Sequence, residues 1–146
     1  VGRKNKHERS VHSLLYRPPL VTEDLPGGED VWKVVNGYAF VDDQGIFSWV
    51  EAGTITDFAS IPAFLWPSCG HPRDPDIAAG AAVHDEDYRL GRGTRAASDK
   101  RLALAMTVLG ASWWKRQKIY WGLRAFGWKA WNEYRRKRVQ KTILTG

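Results

Sequence analysis

The sequence predicts an α+β domain, and three observations carry that expectation. Runs rich in β-branched and aromatic residues crowd into positions 31–50. Beyond Asp74, apolar residues recur at helical spacing and are punctuated by Gly91, Gly110 and Gly127, the places where helices end. A chain of 146 residues with 43% apolar content is also long enough to bury one core without staples. A small antiparallel β-meander packed on an antiparallel helical hairpin, with a basic C-terminal helical extension, is the expected arrangement.

Taken in order, residues 1–12 are polar and unpatterned and read as a flexible basic arm. Val31–Val35 and Tyr38–Asp42 flank Asn36-Gly37, a strong two-residue hairpin signal. Asp43-Gln44-Gly45 turns the chain again into Ile46–Val50. About three strands of this kind need helices on one face to be stable. Thr56–Pro62 (TDFASIP) leads out of the sheet, and Ser60 is placed to cap a short helix through Phe64, Leu65 and Trp66. Asp74-Pro75 offers an N-cap acid and an N1 proline for a helix that runs to Leu90. Thr94 opens a helix ending at Leu109, and Ser112 caps another from Trp113 to Phe126. A last basic helix is expected from Trp128 to about Leu144. The predicted organisation is thus an arm over 1–12, one α+β domain over 13–127 and a basic helical tail over 128–146.

A single cysteine, Cys69, excludes an internal disulfide framework. No apolar run approaches the ~20 residues needed to cross a bilayer, and no signal-peptide core is visible, so a soluble chain is expected. It does not begin with Met, which suggests a trimmed or processed N-terminus. The net charge of +6 conceals an asymmetry. Residues 111–146 hold ten Lys or Arg against the single acid Glu133, residues 1–12 are also basic, and the middle is acidic. Basic ends favour polyanions such as nucleic acid, anionic lipid or an acidic protein surface.

The most chemical feature is His84-Asp85-x-x-Tyr88, within a helix whose Gly80 and Ala81 allow a neighbour to approach closely. The helices on either side of Gly91–Thr94 are joined so tightly that they must be antiparallel neighbours. His84 and Asp99 then lie at similar levels, about 10 and 8 Å from the turn. Asp99 shares an apolar stripe with Leu102, Ala103, Met106 and Leu109, where an acid needs a buried partner. His84 is the nearest candidate. A carboxylate on one imidazole nitrogen sets the tautomer and leaves the other nitrogen as a general base. Asp85, about 100° further round the helix, is oriented to offer oxygen to a cation. The same His–Asp pair also serves to pin two helices, and both readings stand at this point. Tyr88 suits packing and bonding to Asp99 as well as chemistry, and Glu86 and Asp87 are expected on the solvated face. Cys69 and His71 lack the second pair of ligands a zinc site would need.

Thr56–Pro62, Phe64–Pro67, His84-Asp85-x-x-Tyr88, Asp99 and the Tyr120–Trp128 segment resemble a family of unknown function carried by bacteriophages and prophages. That resemblance covers about residues 30–131 and implies a phage origin. The His-Asp-x-x-Tyr helix followed by an Asp on its antiparallel neighbour is distantly similar to the phospholipase A2 core. The similarity implies His84 as the group that activates water, Asp85 as a calcium ligand with Asp57 as a second, and Asp99 and Tyr88 as orienters of His84. Two departures stand out: Ala81 and Ala82 lie near positions that hold cysteines in many such enzymes, and no glycine-rich calcium loop is present.

Aromatics and cations interleave beyond Ser112. Trp113, Tyr120 and Leu123 share a helical stripe that suits a core, and Trp114 and Trp121 extend it on one side. Arg135, Arg136, Lys137 and Arg138 form the densest polyanion-binding candidate. Two functions follow. One is a phage-encoded, phospholipase A2-like hydrolase acting at the bacterial envelope through a His84–Asp99 dyad, with calcium and anionic phospholipid as cofactor and partner. The other is a non-catalytic virion or assembly component binding nucleic acid or other virion proteins through its basic ends, in the phage particle or the host cytoplasm.

Overall fold

The computed structural model describes residues 15–27, 31–42, 45–58 and 60–146. The predicted arm over 1–12 and the turn residues Asp43 and Gln44 lie outside them. Six strands precede the helices: β1 (Leu15–Arg17), β2 (Thr22–Asp24), β3 (Trp32–Val34), β4 (Tyr38–Asp42), β5 (Gly45–Val50) and β6 (Ile55–Thr56). They form two antiparallel three-stranded sheets, ordered β1-β4-β5 and β2-β3-β6. A 3-10 turn (Ala63–Leu65) and a short helix α1 (Trp66–Cys69) lead to α2 (Ala78–Leu90), α3 (Arg95–Val108), α4 (Trp113–Phe126) and α5 (Trp128–Thr145). The α+β class is the observed one.

The meander differs from expectation at Asn36-Gly37. β4 and β5 do form the hairpin expected at Asp43–Gly45, with Asp42 opposite Gly45. β3 and β4, however, belong to different sheets. Both edges of β3 are already taken: Val35 N donates to Val21 O, while Val34 N donates to Thr54 O and Val34 O accepts from Gly53 N. Gly37 is small for another reason, since a Cβ there would lie 3.2 Å from Val50 O and 3.3 Å from Ala52 N.

The two sheets cover one side of α2. Val34, Tyr38, Phe40 and Val50 pack on Ala79, Val83 and Ala105, and Tyr38 Oη donates to Ala79 O at 2.7 Å. A second apolar cluster joins Trp32, Phe58 and Ile61 to Ile77, Leu102, Met106, Ile119 and Leu123. Helix α2 starts later than Asp74-Pro75 suggests. Asp74 contributes its backbone carbonyl to Ile77 N and Ala78 N in a preceding turn, and no side chain caps the helix. Gly91, left-handed at φ 66°, ends it, as a glycine readily does. Thr94 and Ser112 cap α3 and α4 as expected, accepting from Ala97 N and Lys115 N. Gly127 is right-handed rather than a left-handed stop. Its role is close approach, because a Cβ there would lie 2.6 Å from Tyr88 Oη.

Candidate functional site

Helices α2 and α3 meet at small residues. A Cβ on Gly80 would stand 2.9 Å from Ala105 Cβ and 3.0 Å from Leu102 Cδ1, so only glycine permits this spacing. That approach brings His84 onto Asp99: His84 Nε2 lies 2.8 Å from Asp99 Oδ1, with neither side chain exposed. Tyr88 Oη donates to the same oxygen at 2.7 Å. Asp99 Oδ2 accepts from Arg124 at 2.9 Å and faces Arg95 at 3.5 Å. Burial pushes the Asp99 carboxyl pKa up, but the bond and charge of His84, with the bonds from Tyr88 and Arg124, outweigh it and hold the group below its usual range. Asp99 is therefore an anion, and His84 Nε2 donates to it.

The other imidazole nitrogen faces a residue that sequence reasoning assigned elsewhere. Ser60 Oγ lies 2.9 Å from His84 Nδ1, although Ser60 was expected to cap a helix. The following 3-10 turn starts after Pro62 with no side-chain cap. In the tautomer with Nε2 carrying the proton, Nδ1 accepts the Ser60 hydroxyl. Ser60, His84 and Asp99 thus form a continuous buried relay, each at most 1% exposed. One residue on, Asp85 receives the Thr56 hydroxyl at 2.9 Å, and Thr56 Oγ1 also accepts from Phe58 N at 3.1 Å. Phe58 is held at φ 57°, an uncommon conformation for a bulky residue. The TDFASIP segment therefore grips the His84-Asp85 step at two points, Ser60 on His84 and Thr56 on Asp85.

Asp85 is electrostatically unlike Asp99. Burial, then the nearby charge of Asp57, raise its pKa to about 6, against the lowering bond from Thr56. The two carboxylates expected to share a cation are thus near neighbours. Tyr134 of α5 lies over them, its Oη 3.5 Å from Asp85 Oδ1. Burial first, and then the charges of Asp85 and Asp57, push its phenol pKa up. Among the described residues, no three of His, Cys, Asp and Glu are grouped to hold a metal ion. Cys69 is buried and free, while His71 lies against the Trp66 ring at 4.5 Å between centroids.

Two expectations are corrected here. Glu86 and Asp87 are buried rather than solvated: Arg89 forks onto Glu86 at 2.6 and 2.8 Å, and Asp87 takes Arg101 at 2.9 Å and Arg92 at 3.5 Å. Within the basic run, two of the four cations are engaged. Arg138 donates to Tyr88 O and Arg89 O at 2.8 and 2.9 Å, closing the C-terminal end of α2, and Lys137 pairs with Glu133 at 3.1 Å. Arg135 and Arg136 are exposed and make no such contact among the described residues. Of the stripe expected in the core, Leu123 is buried, but Trp113 is exposed and Tyr120 half-buried, and Ile119 joins Leu123 inside.

The model for a family described as a protein of unknown function, DUF1353, matches residues 32–123. The chain belongs to this family. The DUF1353 match contains Thr56, Ser60, His84, Asp85, Tyr88 and Asp99, and it ends before Arg124 and all of α5. Uncharacterized protein y4jT of Sinorhizobium fredii is similar, at 27% identity over 99 residues, covering 66% of this chain. The chain spans 29% of that relative's length. No solved structure matches.

Proposed function

We propose that this DUF1353 protein is a phage-encoded ester hydrolase with phospholipase A2-like chemistry, acting on lipid at the bacterial envelope. The observation that carries the proposal is the polarised imidazole: an ionised Asp99 on Nε2 and a hydroxyl oxygen 2.9 Å from Nδ1. A base so oriented takes a proton from an attacking oxygen as that oxygen adds to an ester carbonyl. Asp99 stabilises the imidazolium that results, and Tyr88 braces Asp99. Ser60 Oγ occupies the attacking position, so a water nucleophile requires Ser60 to turn aside.

The all-oxygen donor set beside His84 fits calcium in kind, with Asp57 and Asp85 as the residues that would hold it. Bound there, the ion would polarise the ester carbonyl. The test is fatty-acid release from phospholipid vesicles. Wild type is expected to release product, and His84→Gln to lose activity by a factor on the order of 10² or more. A wild type inert on every phospholipid class refutes the reading.

The burial of the whole relay favours a second reading. Ser60, His84 and Asp99 are sealed and mutually satisfied, which suits a clamp in a non-catalytic virion or assembly protein that meets nucleic acid or other virion proteins through its basic ends. In that case His84→Gln costs stability, neither protein releases fatty acid, and DNA or particles retain the chain.

A further inference from the structure

Helix α4 has two opposed stripes. Ile119 and Leu123 are buried in the core, whereas Trp114, Lys118, Trp121 and Ala125, at i, i+4, i+7 and i+11, are all exposed on the far side. Trp114 is 69% and Trp121 62% exposed. The patch widens at both ends. Trp113 stands edge-on to Trp114 at 4.6 Å, and Phe64 of the 3-10 turn stands edge-on to Phe126 at 4.9 Å, both pairs exposed. The turn is seated there because Gly122 leaves room for Leu65. Aromatic surface left in water on this scale marks an interaction face.

Its charge identifies the partner. Residues 111–132 contain no acid. Three of the cations nearby are turned inward: Lys115 to Asp76 at 2.7 Å, Arg116 to Thr107 at 2.6 Å and Arg124 to Asp99 at 2.9 Å. Lys118 and Lys129 remain exposed beside the indoles, with Lys129 Nζ 5.8 Å from the Trp128 ring. A second copy of this face would set like charges together. A nucleic acid would be met by few phosphate-binding forks, since these arginines are committed internally. Indoles with lysines between them suit the headgroup region of a bilayer, where the ring is half in hydrocarbon and the ammonium stays with phosphate.

We infer that the Trp114–Lys118–Trp121 face of α4, with its flanking aromatics, binds the surface of an anionic phospholipid bilayer. The inference stands apart from the hydrolase reading, because binding is measured without turnover. The full chain is mixed with phosphatidylcholine vesicles lacking or containing phosphatidylglycerol, and followed by co-sedimentation and by quenching of indole emission with brominated lipid. Wild type is expected to bind the anionic vesicles, to be quenched, and to release as salt rises. Trp114→Ala/Trp121→Ala should weaken binding by about tenfold or more with an unchanged melting temperature, because both side chains are exposed. Lys118→Gln/Lys129→Gln should remove the preference for anionic lipid. Failure of wild type to bind, equal binding by the tryptophan variant, or a tryptophan-dependent affinity for DNA that exceeds that for vesicles overturns the inference.

Discussion

Replacing Asp85 by Asn should stabilise the protein at neutral pH, the reverse of what removing a buried, hydrogen-bonded charge usually does. The Asp85 carboxyl ionises at about 6 in the fold against 3.8 ordinarily, chiefly through burial and then through Asp57. An acid whose folded value is raised binds its proton more tightly when folded. Stability therefore falls as pH rises from about 4 through about 6, and the cost is complete above that window. At neutral pH it amounts to roughly 3 kcal/mol. An Asn carbonyl still accepts the Thr56 hydroxyl, while its amide presents a donor in place of a repelled charge. Allowing for imperfect fit, about 1–2 kcal/mol should be recovered, or about 3–6 °C in Tm for a chain of this size. Calorimetry with chelator present, at about pH 7.5 and about pH 5, checks it. The gain should be present at the higher pH and shrink at the lower one. A variant less stable than wild type at neutral pH, or a gain independent of pH, would refute the account of Asp85.

Millimolar calcium should raise the Tm of wild type by mass action and leave Asp85→Asn unmoved; no shift in wild type refutes a calcium role for Asp85. Asp99→Asn should cost about 3–5 kcal/mol, because two arginines lose their buried counter-charge. Since the Asp99 carboxyl is held low, its stabilisation is present above the unfolded value and is lost as pH falls through the folded one, so the gap to wild type in denaturant melts should narrow in acid. Gly80→Ala should cost about 1–3 kcal/mol through the contacts with Ala105 and Leu102, measured by urea unfolding. Arg138→Gln should cost about 1 kcal/mol or more through the two carbonyls it closes, whereas Arg135→Gln/Arg136→Gln should stay within about 0.5 kcal/mol and reveal, by the salt slope of DNA or vesicle binding, any contribution of that run.

The His84–Asp99 contact was readable because a short link between two helices is a strong geometric constraint. It sets their direction and level, and the apolar stripe around Asp99 supplies the need for a partner. Tyr88 followed from the same helix one turn on. Ser60 and Thr56 were not readable. Their partners are 24 and 29 residues away, and a serine before a helical run is as good a cap as it is a hydroxyl donor. Two hydroxyls four apart in TDFAS, opposite the adjacent pair His84-Asp85, were the available hint. The missed strands β1, β2 and β6 have two or three residues each, too few to show alternation. Glu86 and Asp87 misled because four successive polar residues suggest a solvated face. Here arginines from α2, its turn and α3 meet the two acids, so all sides of that helix turn are covered.

His84 and Asp85 are neighbours on one helix, yet the fold treats them oppositely. Around His84 the charges are balanced: Asp99 is matched by Arg95 and Arg124, and its protons and lone pairs find partners. A clamp between helices explains that side fully. Around Asp85 the balance is less complete: burial first, and then the charge of Asp57, raise its pKa against the bond from Thr56 and the charge of His84, and Tyr134 stands at its other oxygen. A purely structural site gains nothing from that arrangement, since an amide would serve Thr56 equally and cost less. Local rules broken at a stability cost mark the places where a protein meets something else. On that argument Asp85 is the position where the proposed function is best tested, and the stability of Asp85→Asn and the activity of His84→Gln measure the two sides separately.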